Sequence, residues 1–273
     1  MRTNHAILVV AACICLAGCK QSTEYSPVKS IALEYPNLSA YQESWNYNYD
    51  SGGRLTLVEK CEIAEGKKST RSWKYSYDAN ELKAVSEAKG WRRSRTAEVL
   101  FQDDFNHMLS YTLPEETEED EYGIVFLGQT WVANYSDGRL AKAVFTDLTS
   151  DGMDIGMFTW GEDGLLVKYE GSDPGVFIEI KDIEYLDTPN PFIAGPDPAS
   201  QLLGMGSFYS QGLAGPRPAR LISSYTKVSS DPWVEDVSID HISITYENDL
   251  DGRISHIVQT VNGVLENVAT ITY

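Results

Sequence analysis

Tyr49-Asp50-Ser51-Gly52-Gly53-Arg54-Leu55 is the stretch that decides the fold of this 273-residue chain. An aromatic residue, an Asp, one or two glycines, an Arg and an aliphatic residue follow in that order. The pattern returns as Tyr135-Ser136-Asp137-Gly138-Arg139-Leu140, as Trp160-Gly161-Glu162-Asp163-Gly164-Leu165 and as Tyr246 through Asp251-Gly252-Arg253-Ile254. Tyr77-Asp78-Ala79-Asn80-Glu81-Leu82 is a degenerate copy in which Asn80 takes the glycine place. Asp or Asn followed by Gly suits the positive-φ positions of a tight hairpin turn. The flanking aromatic and aliphatic residues then pack across the hairpin on one face.

Outward from each turn the sequence alternates. Trp45, Tyr47 and Tyr49 are separated by Asn46 and Asn48; Trp73, Tyr75 and Tyr77 by Lys74 and Ser76; Ile242, Ile244 and Tyr246 by Ser243 and Thr245. Period-two alternation of aromatic and β-branched residues predicts strands with one apolar face. Successive turns 25 to 28 residues apart leave room for one hairpin and its connection. The expected fold is all-β: an antiparallel meander of many short hairpins, curled into an open barrel, a roll or a long twisted sheet. Residues 186–220 carry six prolines and five glycines. Proline cannot donate to a sheet ladder, so this stretch is expected to be an irregular crossover, with a short helix near Gln201 to Phe208. It also fits a linker, but the shared style of the flanking repeats favours one domain over 41–273.

The N-terminus reads as an address. Ala6 to Ala17 is an uncharged run too short to span a bilayer as a helix, and it ends in Leu16-Ala17-Gly18-Cys19. Small residues before a Cys directly after such a run resemble the lipobox of bacterial lipoproteins. The resemblance implies a signal peptide over 1–18, cleavage before Cys19, a lipid on its sulfur, and a polar tether within 19–40. A secretory signal with an incidental Cys is the plainer alternative. The repeats, together with Tyr185-Leu186-Asp187-Thr188-Pro189-Asn190-Pro191-Phe192 and the closing Asp-Gly-Arg hairpin, resemble a family of Bacteroidota lipoproteins whose domain has no assigned function and is built from YD-type (Y-x-Y-D-x-x-G-R-L) repeats. That resemblance implies an architecture and a cell-envelope, outer-membrane location, periplasmic or surface-facing, and lends no activity. With Cys13 and Cys15 in the signal and Cys19 lipidated, only Cys61 remains. No internal disulfide or Cys-based zinc site is then available, and Cys61 is expected as a buried small hydrophobe.

Forty acids against 22 Lys/Arg give a net charge of −18, which excludes a nucleic-acid partner held through phosphates. The charge is uneven: residues 42–100 hold nine acids and eleven bases, residues 101–198 hold 21 acids and four bases. Glu115-Glu116-Thr117-Glu118-Glu119-Asp120-Glu121 lacks the alternating spacing and Gly bend of a calcium loop and is read as a solvated tip, with no metal and no cofactor expected. Trp91, Arg92 and Arg93 offer guanidinium forks beside a ring, and Trp131, Tyr209 and Trp233 stand outside the alternating sets. These six are the speculative ligand-binding residues, through sugar stacking or capture of an anionic group. His107, His241 and His256 form no catalytic motif. The expected function is a non-catalytic envelope lipoprotein that binds a polymer such as a glycan, or a protein partner. The alternatives are an assembly component of an envelope complex and a hydrolase using a carboxylate pair.

Overall fold

The structure, a computed structural model, describes residues 27–38, 40–78, 81–89, 98–102, 108–113, 129–147, 153–173, 176–192, 196, 212–231 and 236–273. The signal segment, Cys19, Trp91 to Arg95, the acidic run 115–121, the helix expected near 201–208, Tyr209 and Trp233 lie outside them.

Among the described residues sixteen strands follow in chain order: β1 (Ser30–Glu34), β2 (Tyr41–Tyr49), β3 (Leu55–Ala64), β4 (Lys67–Asp78), β5 (Glu81–Lys89), β6 (Glu98–Gln102), β7 (Met108–Leu113) and β8 (Gln129–Ser136). The second half is β9 (Arg139–Asp147), β10 (Met153–Trp160), β11 (Leu166–Asp173), β12 (Val176–Pro189), β13 (Arg220–Asp231), β14 (Asp236–Asn248), β15 (Ile254–Val261) and β16 (Val264–Thr272). The expected all-β antiparallel meander is what forms: every strand pairs with its sequence neighbours. β1 goes further, pairing with β2 on one side and β16 on the other, so the ring closes without a free edge. Two expected boundaries change. β1 falls inside the stretch assigned to the tether, because Ile31 and Leu33 alternate over only five residues and pair on both sides. The crossover shortens to 190–219, because β12 runs through Leu186 to Pro189 in irregular register with β13.

Closure gives each strand an inside and an outside. The buried residues fall on one face: Trp45 and Tyr47 on β2, Trp73 and Tyr75 on β4, Ile242 and Ile244 on β14, Ala269 and Ile271 on β16. That face is the inside. The crossover adds Phe192, Leu213 and Ala214 to the same core. Asn190 ties its two ends together: its backbone N–H donates to the Ala219 carbonyl (2.9 Å), its Nδ2 donates to the Pro218 carbonyl (3.0 Å), and its Oδ1 accepts the Phe192 N–H (2.9 Å).

The repeated turns all lie at one rim, together with Val28 and Tyr273. Each links its own hairpin to the next. In the Asp50 and Asp249 copies, the glycine four residues after the aromatic or three after the Asp, Gly53 and Gly252, has positive φ (79° and 81°). A three-residue loop with a bulge results. The Asp is not left-handed there; Asp137-Gly138 uses the two-residue form in which both residues have positive φ, as do Glu65-Gly66 and Asn262-Gly263 at the opposite rim. Asp50 instead accepts the backbone N–H groups of Gly52 and Arg54 and pairs with the Arg54 guanidinium. Asp249 does the same with Asp251 and Arg253. The Arg then lies over the aromatic that ends the next hairpin: Arg54 over Tyr77 (4.6 Å), Arg139 over Trp160 (5.9 Å), Arg253 over Tyr273 (5.0 Å). The polar tip of that aromatic donates to the carbonyl of the aliphatic residue after the Arg, as Trp160 does to Leu140 (2.8 Å) and Tyr273 to Ile254 (3.0 Å). Tyr49, Tyr185 and Tyr246 donate backwards in the same way, to Val28, Leu166 and Ile222. Burial pushes the Tyr77 and Tyr273 hydroxyls up to about 12.

The Arg54 backbone N–H and guanidinium hold the Asp50 carboxyl below its ordinary 3.8, and the Arg253 backbone N–H leads the same effect on Asp249. A depressed carboxyl stabilises the fold above its unfolded value and loses that contribution as pH falls through its folded value. Acid unfolding below about pH 4 is therefore expected to be shallower in an Asp50→Asn/Asp249→Asn variant than in the parent, as followed by circular dichroism.

Candidate functional site

At the end opposite the turns, the inner face changes character. Counting back from the turns along β2, the apolar Tyr49, Tyr47 and Trp45 give way to Glu43 and Tyr41; on β3, Val58 gives way to Lys60 and Glu62. Lys60 bridges Glu43 (3.2 Å) and Glu62 (2.5 Å). Tyr41 Oη donates to the same two carboxylates (2.9 and 3.2 Å), and Trp45 Nε1 donates to Glu43. Lys60 also lies over the Trp45 ring and Arg71 over the Trp73 ring, and the two indoles stack at 5.7 Å and 7°. Burial, then the charges of Glu43, Glu266 and Glu62, push the Tyr35 hydroxyl up to about 12. Both Glu43 oxygens and Glu62 Oε1 are engaged by Lys60, Tyr41 and Trp45, an arrangement that braces the barrel mouth.

The outer wall differs. Most outward-facing residues of β2 to β4 are polar or charged, Leu57 and Ile63 excepted, and a cavity of about 380 Å³ is lined by several of them together with Lys60 and Arg71. Glu59, Cys61, Lys68, Thr70, Lys74 and Glu87 are among its lining residues. Lys74 reaches Glu87 at 3.6 Å. Cys61, expected buried, is half-exposed here, because alternation from Val58 and Lys60 turns it outward between Ser44 and Thr70. Farther round, cross-strand pairing aligns Val132, Val144, Ile155, Ser172, Phe177, Ser230 and Val237 into one uncharged row over β8 to β14. At the strand spacing of about 4.8 Å the row spans roughly 29 Å. Val132, Phe177 and Val237 in it are exposed, as is Ile239 beside it.

Of the six ligand-binding candidates from the sequence, only Trp131 lies among the described residues. It sits on the inward face of β8 opposite Tyr111 and Phe145, half-buried against the core. It alternates with Ala133 and Tyr135, which share that inward face. Ser255, His256 and Glu247 approach one another, but Ser255 Oγ (3.0 Å) and Glu247 (3.8 Å) both meet the same Nδ1. A nucleophile–base–acid relay needs them on opposite ring nitrogens. Among the described residues no group of three or more His, Cys, Asp or Glu is placed to hold a metal ion.

No protein-family description matches the sequence, and no curated protein matches it. Solved structures do resemble the fold. A porin-like protein from Bacteroides uniformis ATCC 8492 superposes with a TM-score of 0.62 at 15% identity, over 90% of this chain and 98% of that one. A porin-like protein from Bacteroides vulgatus ATCC 8482 does so with a TM-score of 0.55 at 11% identity, over 91% and 98%. At these identities the likeness is one of fold.

Proposed function

We propose that this chain is a non-catalytic cell-envelope lipoprotein, anchored at the outer membrane by a lipid on Cys19, whose barrel binds a polymer or protein partner on its outer wall. It belongs, on this reading, with the Bacteroidota lipoproteins that carry YD-type repeats. The observation that supports it is the polarity of the barrel. A barrel that crosses a membrane turns an apolar band to lipid and keeps a polar lumen. Here the lumen half nearest the turns is packed with Trp45, Trp73, Tyr75 and Ile257 and with Phe192 of the crossover, while Lys68, Lys74, Glu59, Lys168, Glu170, Glu179 and Lys181 face outward. The charged stretches of the wall on β3, β4, β11 and β12 are suited to water, which leaves them free to serve as a binding scaffold. The cavity over β2 to β5, in the basic part of an acidic chain, suits a hydroxyl-rich polymer chain, with Lys and Thr as donors and Glu as acceptors.

A glycan and peptidoglycan array probed with residues 20–273 tests this. Binding to a defined polymer class is expected, and a Lys68→Glu/Lys74→Glu variant is expected to lose it with an unchanged melting temperature. A blank array, or binding indifferent to that variant, removes the polymer reading. The uncharged row over β8 to β14 favours a second reading, an assembly component docking a protein partner. It predicts a defined partner recovered from solubilised membranes by the parent and lost with Phe177→Glu. A hydrolytic role for Glu43 and Glu62 is set aside, because both serve as acceptors for Lys60 and Tyr41.

A further inference from the structure

The strand directions carry an orientation that the sequence does not. β1 starts, β16 ends, and the Asp50, Asp137, Gly161 and Asp249 turns all stand at the same rim, since every even-numbered strand runs toward it. The chain enters the barrel there, where the Val28 carbonyl accepts the Tyr49 hydroxyl and Lys29 N–H donates to Thr272. Pro27 is eight residues from Cys19. Eight residues reach at most roughly 28 Å. The opposite mouth is a further strand length away, about 30 Å for the nine residues of β2.

We propose that the hairpin rim is the face the barrel turns to the membrane, and that it meets zwitterionic lipid headgroups. The proposal rests on the lipid-anchor reading above. Two features of the rim give it its chemistry. Leu250, at the apex of the Asp249 turn, is fully exposed, an apolar tip projecting beyond the strands. Acids outnumber bases around it: Arg54, Arg220 and Arg253 are each paired, with Asp50, with Asp163 and Asp187, and with Asp249 and Asp251, and Arg139 lies over Trp160, while Asp78, Asp137 and Glu162 add further negative charge. Such a rim is repelled by anionic lipid and can meet the ammonium of a zwitterionic headgroup, with Leu250 entering the interfacial layer. The opposite mouth, ringed inside by Glu43, Lys60, Glu62 and Arg71, then faces away from the bilayer and is open to partners.

The test uses the full lipidated protein in a Cys61→Ser background, with a nitroxide on Leu250→Cys at the rim or on Val264→Cys at the opposite mouth. Vesicles are phosphatidylcholine with phosphatidylethanolamine, with or without phosphatidylglycerol. On the zwitterionic vesicles, accessibility of the Leu250 label to an aqueous relaxing agent is expected to fall several-fold while the Val264 label is unchanged. Phosphatidylglycerol is expected to restore part of the Leu250 accessibility. Equal accessibility of the two labels on vesicles that carry the protein overturns the orientation. Stronger shielding with phosphatidylglycerol overturns the headgroup assignment. If the protein does not co-float with vesicles, or floats equally as Cys19→Ala, the lipid-anchor reading itself fails and the orientation falls with it.

Discussion

Replacing Ile31 with Asp is expected to open the barrel. Ile31 is fully buried on a closing strand of five residues, opposite Ile271 on one side and Trp45 on the other. Truncating a buried Ile costs about 2–5 kcal/mol, and an unpaired carboxylate among apolar groups adds its desolvation. Domain stabilities of about 5–15 kcal/mol leave little margin for that. The damage is also topological. Without β1, the edges of β2 and β16 carry unpaired N–H and carbonyl groups, which invite pairing with other chains. Ile31→Asp should therefore give aggregated or unfolded protein by size exclusion and circular dichroism. Ile31→Val should cost only about 0.5–1.5 kcal/mol in urea unfolding. A soluble, cooperatively unfolding Ile31→Asp protein would mean that β1 does not seal the ring.

Trp73→Ala is the second large effect. Trp73 is almost fully buried, stacks on Trp45 and carries Arg71 over its ring. Its removal takes away one of the two buried tryptophans of the described interior, leaves Trp45 without its stacking partner, and takes away the ring beneath Arg71. A loss of about 3–5 kcal/mol is expected from urea unfolding, with loss of the near-ultraviolet circular dichroism of the coupled indoles. Trp73→Phe, which keeps a ring in place, should recover a large share of it. A change below about 1 kcal/mol for Trp73→Ala would contradict a packed interior and favour an open lumen.

Much of this architecture can be seen in the chain. Alternation around Trp45, Trp73 and Ile242 marks the strands and their inward faces, and the aromatic–Asp–Gly–Arg–aliphatic pattern marks the turns. Closure is less visible, because β1 is five residues long and looks like part of a tether until Ile31 and Leu33 find partners on both sides. The role of the repeated Arg is hidden for another reason. Its target is not in its own hairpin but 20 to 23 residues on, as Arg54 to Tyr77 and Arg253 to Tyr273. Only the constant spacing hints at it. The braced mouth follows the same logic. Glu43 shares the face of Trp45 and Tyr47, and a charged residue in register with core aromatics signals a buried ion network. Its partners Lys60, Glu62 and Arg71 come from neighbouring strands whose register only the fold sets. Trp131 is inward-facing because it alternates with Ala133 and Tyr135, a pattern the chain itself carries.

The account turns on a barrel that is packed inside, carries charge over much of its outer wall and is held to the membrane by its N-terminal lipid alone. Alkaline extraction of membranes from cells expressing the Cys19→Ala protein tests this most directly. The variant is expected entirely in the soluble fraction, while the parent stays with the membrane and is released by detergent. A Cys19→Ala barrel that remains in the washed membrane pellet would contradict it, since the strands themselves would then be crossing the bilayer.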